Sequence, residues 1–213
     1  MTQIVSKQRV SDHGEVFTNE REVNAMLDLV KQETERIDSR FLEPACGTGN
    51  FLEKILERKL AVVERRYGKL QFDYERNAVL AVCSIYGIDI LEDNLVQCRE
   101  RLFNLFNSQY IRLFGDNCKE DCRASIRIIL GLNIIHGDAI TLKKVNKDEP
   151  IVFSEWSQIN SNYLKRRDFS FQDLLEHEIV AGLPLFSDLG QDVFIPKPIK
   201  DYPVQHFLEL SNE

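Results

Sequence analysis

The sequence predicts an α/β fold, a mostly parallel sheet with helices on both faces. Three observations predict it. Short apolar segments alternate with stretches of helical periodicity. Three of those segments end in a glycine-bearing or acidic turn, where open α/β sheets hold their ligands. The 213 residues, 43% of them apolar, suffice for one such domain with a small appendage.

The elements follow in order. Asn19 is placed to cap a first helix, with Glu22 three residues on and Val23, Met26, Leu27 and Val30 at helical spacing, so a helix is predicted from Glu20 to Ile37. A short strand, Arg40 to Glu43, leads into the turn Pro44-Ala45-Cys46-Gly47-Thr48-Gly49-Asn50. Phe51, Leu52, Ile55, Leu56 and Leu60 then repeat as a second helix reaching past Val63, and a third covers Phe72 to Cys83. Ser84 to Asp89 reads as a buried strand ending in a carboxylate. Glu92 to Phe106 and Cys118 to Leu130 are helices, and Asn133 to His136 is a strand followed by Gly137-Asp138-Ala139.

Beyond Ile140 the periodicity fades, and five of the six prolines stand at or after Pro150. Residues 1–142 are therefore assigned to the core and 143–213 to an irregular C-terminal extension of the same domain. Within that extension Pro150 to Phe153, Val193 to Ile195 and His206 to Leu208 are strand candidates, and Phe169 to Glu178 a short helix.

Composition excludes several classes. The formal charge of −7 argues against unaided binding to duplex DNA, which favours a basic face. No apolar run approaches the roughly 20 residues of a membrane span. Met1 to Lys7 carries no apolar signal-peptide stretch, so a cytoplasmic location is expected. Five scattered cysteines fit reduced thiols better than a disulfide framework, and no metal site is expected, because Cys118 and Cys122 have no further ligands nearby.

The chemistry concentrates in the three turns. Glycines in the first permit a tight bend and close backbone approach by a ligand, with a helix N-terminus behind it. It is neither a full dinucleotide fingerprint nor a P-loop. Asp89 and Asp138 end the second and third segments; the Asp89 carboxylate is placed to take a ribose diol, and either acid reads equally as a helix N-cap. All three turns in this order point to a nucleoside-type ligand.

Phe41 to Leu52, with Pro44-Ala45-Cys46-Gly47-Thr48-Gly49 at its centre, resembles motif I of S-adenosylmethionine-dependent DNA methyltransferases. The resemblance is to the adenine-specific N-6 DNA methylases of restriction–modification systems. Gly14-Glu15-Val16-Phe17-Thr18 is similar to the segment before that family's first helix, and the stretches around Asp89 and Asp138 are like its second and third cofactor strands. The likeness spans about Val10 to Leu142. It implies a class I methyltransferase Rossmann-like fold, incomplete at the C-terminal end, with S-adenosyl-L-methionine as cofactor. It further implies that Gly47 and Gly49 lie against the methionine part, with Phe17, Ala45, Asn50 and Ala139 around the cofactor. Thr18 would touch the carboxylate end, Glu43 the amino group, Asp89 the ribose hydroxyls, Ile90 the adenine face and Asp138 the adenine amine. Gly49→Asp is expected to abolish binding with little loss of fold.

The family's catalytic Asp/Asn/Ser-Pro-Pro-aromatic motif is absent, since the chain has no Pro-Pro. The catalytic residues are thus unassigned. Near the expected place, Ser154, Glu155 and Trp156 are candidates for a divergent pocket edge, or Trp156 is a core anchor. Lys165-Arg166-Arg167 reads as a phosphate contact or as solvated surface. No target-recognition region follows, so partners are expected: DNA, reached with a specificity subunit or second chain, or a homo-oligomer. Three functions compete: a DNA adenine methyltransferase, a catalytically inactive cofactor-binding pseudo-methyltransferase of a defence complex, and a methyltransferase acting on RNA or protein.

Overall fold

The computed structural model describes residues 8, 9, 11, 18–175 and 197–212. Residues 8, 9 and 11 are helical, and then come α1 (Glu20–Asp28) and α2 (Lys31–Thr34), followed by β1 (Phe41–Glu43), α3 (Asn50–Tyr67) and α4 (Gln71–Cys83). Next come β2 (Ile85–Asp89), α5 (Glu92–Phe114), α6 (Glu120–Asn133) and β3 (Ile134–Asp138). The chain ends in β4 (Lys143–Lys144), β5 (Val152–Asn160), β6 (Tyr163–Ser170) and β7 (Lys200–His206).

Asn19 caps α1, its Oδ1 accepting from Glu22 N at 3.0 Å. The helix stops short of Ile37, because Val30 leaves helical geometry at φ −118°, ψ 31°. The cause is tertiary. Arg58 on α3 donates to Asn24 O, Asn24 Oδ1 and Thr34 Oγ1 and pairs with Asp28, tying together the segments on either side of the bend. Helix α5 runs on to Phe114, past the predicted end at Phe106. Phe106, Tyr110 and Phe114 stand four apart and pack ring to ring, which carries the helix through polar Asn107-Ser108-Gln109.

β1, β2 and β3 pair in parallel and β4 closes the edge antiparallel, in the order β1-β2-β3-β4. Side chains alternate across this sheet. Phe41, Ile85 and Ile134 join the large core formed with α1, α3, α4, α5 and α6. Tyr86, Ile88 and Ile135 face the other way, onto Ile151, Phe153 and Phe171. The long helices thus share one face, where the sequence predicted helices on both. The second face is covered by the start of β5 and the short helix at 171–175.

Residues 143–213, predicted as irregular, contain a three-stranded antiparallel sheet, β5-β6-β7. β5 extends far beyond Phe153, and β7 ends at His206. The helix predicted from Phe169 starts at Phe171, because Phe169 and Ser170 close β6, and it is described to residue 175. The predicted strand Val193 to Ile195 lies outside the described residues. Pro203 sits on β7, at an edge where a missing N–H costs no ladder bond. The boundary at residue 142 falls in the turn joining β3 to β4, where Leu142 adopts φ 60°. No helix among the described residues is long and apolar enough to cross a membrane.

Candidate functional site

The carboxyl ends of β1, β2 and β3 bring the three turns side by side. After β1 the chain turns through Gly47 at φ 52° and Gly49 at φ 89°, the left-handed region that glycine enters without strain. Gly49 N donates to Cys46 O at 2.8 Å and Glu53 N to Gly49 O at 2.8 Å, so the turn runs directly into α3. A Cβ on Gly49 would stand 2.7 Å from Cys98 Sγ on α5, and one on Gly87 would stand 2.9 Å from the Leu52 side chain. Only glycine lets the turn and β2 pack this closely. Gly49→Asp therefore strains the fold as well as the site, contrary to the expectation from sequence.

Asp89 joins the first two turns. Its Oδ2 accepts from Gly47 N at 2.8 Å, and its Oδ1 accepts from Leu91 N at 2.8 Å and from Asn94 Nδ2 at 3.3 Å. The Leu91 bond is a local turn ahead of α5, not the helix cap of the alternative reading, because the N-cap position is Leu91 and no side chain caps it. The Gly47 bond reaches across 42 residues and is a different matter. A carboxylate offers about four acceptor sites, so one remains for a ligand. Asp138 Oδ1 accepts from Ile140 N at 2.8 Å and Thr141 N at 3.4 Å, and these donors hold its carboxyl below the usual range. His136 Nε2 donates to Ile90 O at 3.0 Å, linking the second turn to β3.

Around this centre Glu43 is half-buried, and burial raises its carboxyl pKa although Ala45 N–H donates to it. Ile90 is exposed and Ala139 partly buried. Thr18 O accepts from Asn50 Nδ2 at 3.4 Å, and Asn50 Oδ1 accepts from Arg101. Phe17 lies outside the described residues. Asn94, His136 and Arg101 were not picked out in the sequence. An asparagine in the first turn of a helix after a strand-end acid is the only signal that marked Asn94. The residues present fit a nucleoside ligand: open backbone at two glycines, a fixed carboxylate with a spare acceptor site, and an exposed isoleucine beside it.

Ser154, Glu155 and Trp156 are placed elsewhere. β1 and β2 begin at Phe41 and Ile85, and it is this amino end that β5 meets. Tyr86 OH donates to Ser154 O at 3.0 Å, and Glu155 pairs with Arg40 at 2.5 Å. Four residue steps along the strand separate Ile85 from Asp89, roughly 13 Å. Trp156 is buried and its indole N–H donates to Asn133 Oδ1 at 3.2 Å, as the core-anchor reading describes. Ser154 Oγ donates to Asp168 Oδ1 at 2.8 Å beneath the buried Arg166. The run Lys165-Arg166-Arg167 is paired residue by residue, with Asp201, Asp168 and Glu155. It is neither a free basic patch nor simply solvated. A cavity of about 330 Å³ opens between Arg40, Ser84, Glu155 and Trp156, at the end of the sheet opposite the turns.

The five cysteines are free thiols. Cys46 and Cys98 lie together beneath the first turn, and their mutual contact and burial push the Cys46 thiol far up.

No family model, no curated protein and no solved structure matches the chain.

Proposed function

We propose that the chain binds S-adenosylmethionine across the carboxyl ends of β1, β2 and β3. On this reading it is a class I methyltransferase core of the adenine-specific DNA methyltransferase kind, with methyl transfer to DNA dependent on a partner chain. The observation that carries it is the bond from Gly47 N to Asp89 Oδ2, which holds the glycine turn and the ribose-reading acid in one rigid unit. Glu43 would receive the amino group, Ile90 the adenine face, and Asp138 the adenine amine beside its turn bonds. The bound cofactor would supply an electrophilic methyl group.

A second reading has its own support: a cofactor-binding module without turnover. The described strands β1 to β4 present no acidic or amide group followed by Pro-Pro, and Ser154, Glu155 and Trp156 sit at the far end of the sheet with their partners taken. Calorimetric titration with S-adenosylmethionine and S-adenosylhomocysteine, then tritiated-methyl transfer to mixed DNA, separates the two. Binding with transfer establishes the enzyme. Binding without transfer establishes the module, until a partner restores activity. No binding by the folded chain removes both.

A further inference from the structure

One edge of the second sheet opens into the cavity at the amino end of β1 and β2. Glu155, Trp156, Ser157 and Gln158 line it consecutively, which a strand does only along its edge, and Asp38, Arg40 and Ser84 face them. β5 pairs with β6 alone. In an antiparallel pair, successive residues turn their backbone groups alternately toward and away from the partner. Asn162 O accepts from Phe207 N at 3.0 Å and Asp168 O from Ile199 N at 2.7 Å, so at both ends of β6 the even-numbered residues face β7. The odd-numbered ones face β5, and the register sets them opposite Phe153, Glu155 and Ser157. Ser154, Trp156 and Gln158 therefore turn N–H and C=O outward. Tyr86 OH meets Ser154 O. Among the described residues nothing meets the N–H or C=O of Trp156 or Gln158.

The two edges of this sheet differ. β7 carries Lys200, Asp201, Pro203 and a register shift, devices that keep a further strand from adding. β5 has no proline, no lysine and no register shift from Ser154 to Gln158. Its one charge there, Glu155, is held by Arg40 and Arg167, and Ile159 just beyond is 54% exposed. Of the charged side chains lining the cavity, Asp38 and Glu155 oppose Arg40, leaving one carboxylate in excess. Asp38 is the exposed one, and its pair with Arg36 is long, at 3.5 Å. The geometry points to this edge as the docking site of an extended peptide from a partner chain, added to β5 as a fourth strand. Main-chain bonds to Trp156 and Gln158 supply the affinity, and a basic side chain toward Asp38 and an apolar one beside Ile159 supply the specificity. Residues 155–158 span roughly 10 Å of strand, so the contact takes about four residues of peptide. The site stands apart from the three turns and does not depend on the cofactor reading.

The probe is the peptide acetyl-Thr-Val-Lys-Val-Thr-Val-amide, titrated into the full chain while amide hydrogen exchange is followed residue by residue. In the free chain Trp156 and Gln158 are expected to exchange at least about tenfold faster than Glu155 and Ser157, and saturating peptide should remove that difference. Two isomers of the peptide carry N-methyl groups on alternate amides, one on the valines and one on the threonines and lysine. A strand adds by one edge, so one isomer should bind within about threefold of the parent and the other lose at least about tenfold. Asp38→Asn should weaken the parent about threefold and leave a peptide with norleucine for lysine unchanged. Gln158→Pro removes an outward N–H and no bond to β6, so the fold holds and affinity falls about tenfold. Equal binding by the two isomers overturns strand addition. Trp156 and Gln158 amides that stay unprotected at about 1 mM peptide overturn the site. Protection already complete without peptide overturns the open edge, and protection that grows with protein concentration overturns the partner peptide and gives the edge to a second copy of this chain.

Discussion

Asp89 accepts the backbone N–H of Gly47 at 2.8 Å, so the acid ending β2 fixes the turn that follows β1. Charge-assisted bonds of this kind are worth more than neutral ones, and removing the acceptor leaves buried donors without a partner. Asp89→Ala strips an acceptor from Gly47 N, Leu91 N and Asn94 at once. It is expected to lower unfolding free energy by about 1–3 kcal/mol, measured by urea titration, and to abolish S-adenosylhomocysteine binding. Full affinity in this variant would remove the carboxylate from the site.

Gly49 and Cys98 make a second close pair. Gly49→Ala puts a Cβ 2.7 Å from Cys98 Sγ at a φ of 89°. Overpacking and left-handed strain each cost about 1–3 kcal/mol. The variant is expected to lose at least about 2 kcal/mol. Adding Cys98→Ala should restore only part of it, because the backbone strain stays. A double-mutant cycle measures the coupling. Full recovery in the double variant would show that the clash alone matters, and no recovery would show that the two residues do not meet.

Glu155 and Trp156 test the polarity of the sheet. Trp156→Phe removes the indole donor from Asn133, whose Nδ2 already holds Cys83 O and Ile85 O. It is expected to destabilise by about 1–2 kcal/mol. Glu155→Gln weakens the pairs with Arg40 and Arg167. Both variants should bind S-adenosylhomocysteine as wild type does, within about twofold, since a shift of that size is under 0.5 kcal/mol. A tenfold loss in either would bring β5 into the proposed cofactor site.

The parts of the fold that local pattern encodes were legible in the sequence. Leu52, Ile55, Leu56 and Leu60 mark α3, and the apolar run before Asp89 marks β2, buried along its length. The three turns were legible too, because glycine and aspartate at strand ends have few other uses. What failed was set by distant partners. The bend at Val30 answers to Arg58 on another helix. β6 and all of β5 past Phe153 were hidden because their buried face carries Ser154, Arg166 and Asp168 alongside Trp156 and Leu164, so no apolar alternation shows.

Lys59 gives a pH dependence with a definite sign. It is buried, and its ammonium donates to Arg36 O at 2.9 Å, Ile37 O at 3.2 Å and Ser84 Oγ at 2.9 Å, and to Ser39 O. Burial lowers its pKa from 10.5 to about 7. Between those values the unfolded chain holds a proton that the folded chain has released, so the unfolded state binds more protons and stability rises with pH. Below about 7 both states are protonated and this contribution is flat. The window is about 7 to 8.5; the unfolded chain's thiols ionise toward its upper end and flatten the slope in wild type and variant alike, so the difference between the two proteins carries the Lys59 component. There the slope attributable to Lys59 should approach a limit of about 1.4 kcal/mol per pH unit. Urea midpoints of wild type and Lys59→Met across this window measure it, and the variant should lack that component. Identical slopes in the two proteins would mean that the four oxygens around the ammonium keep it charged, with a folded pKa near 10.5.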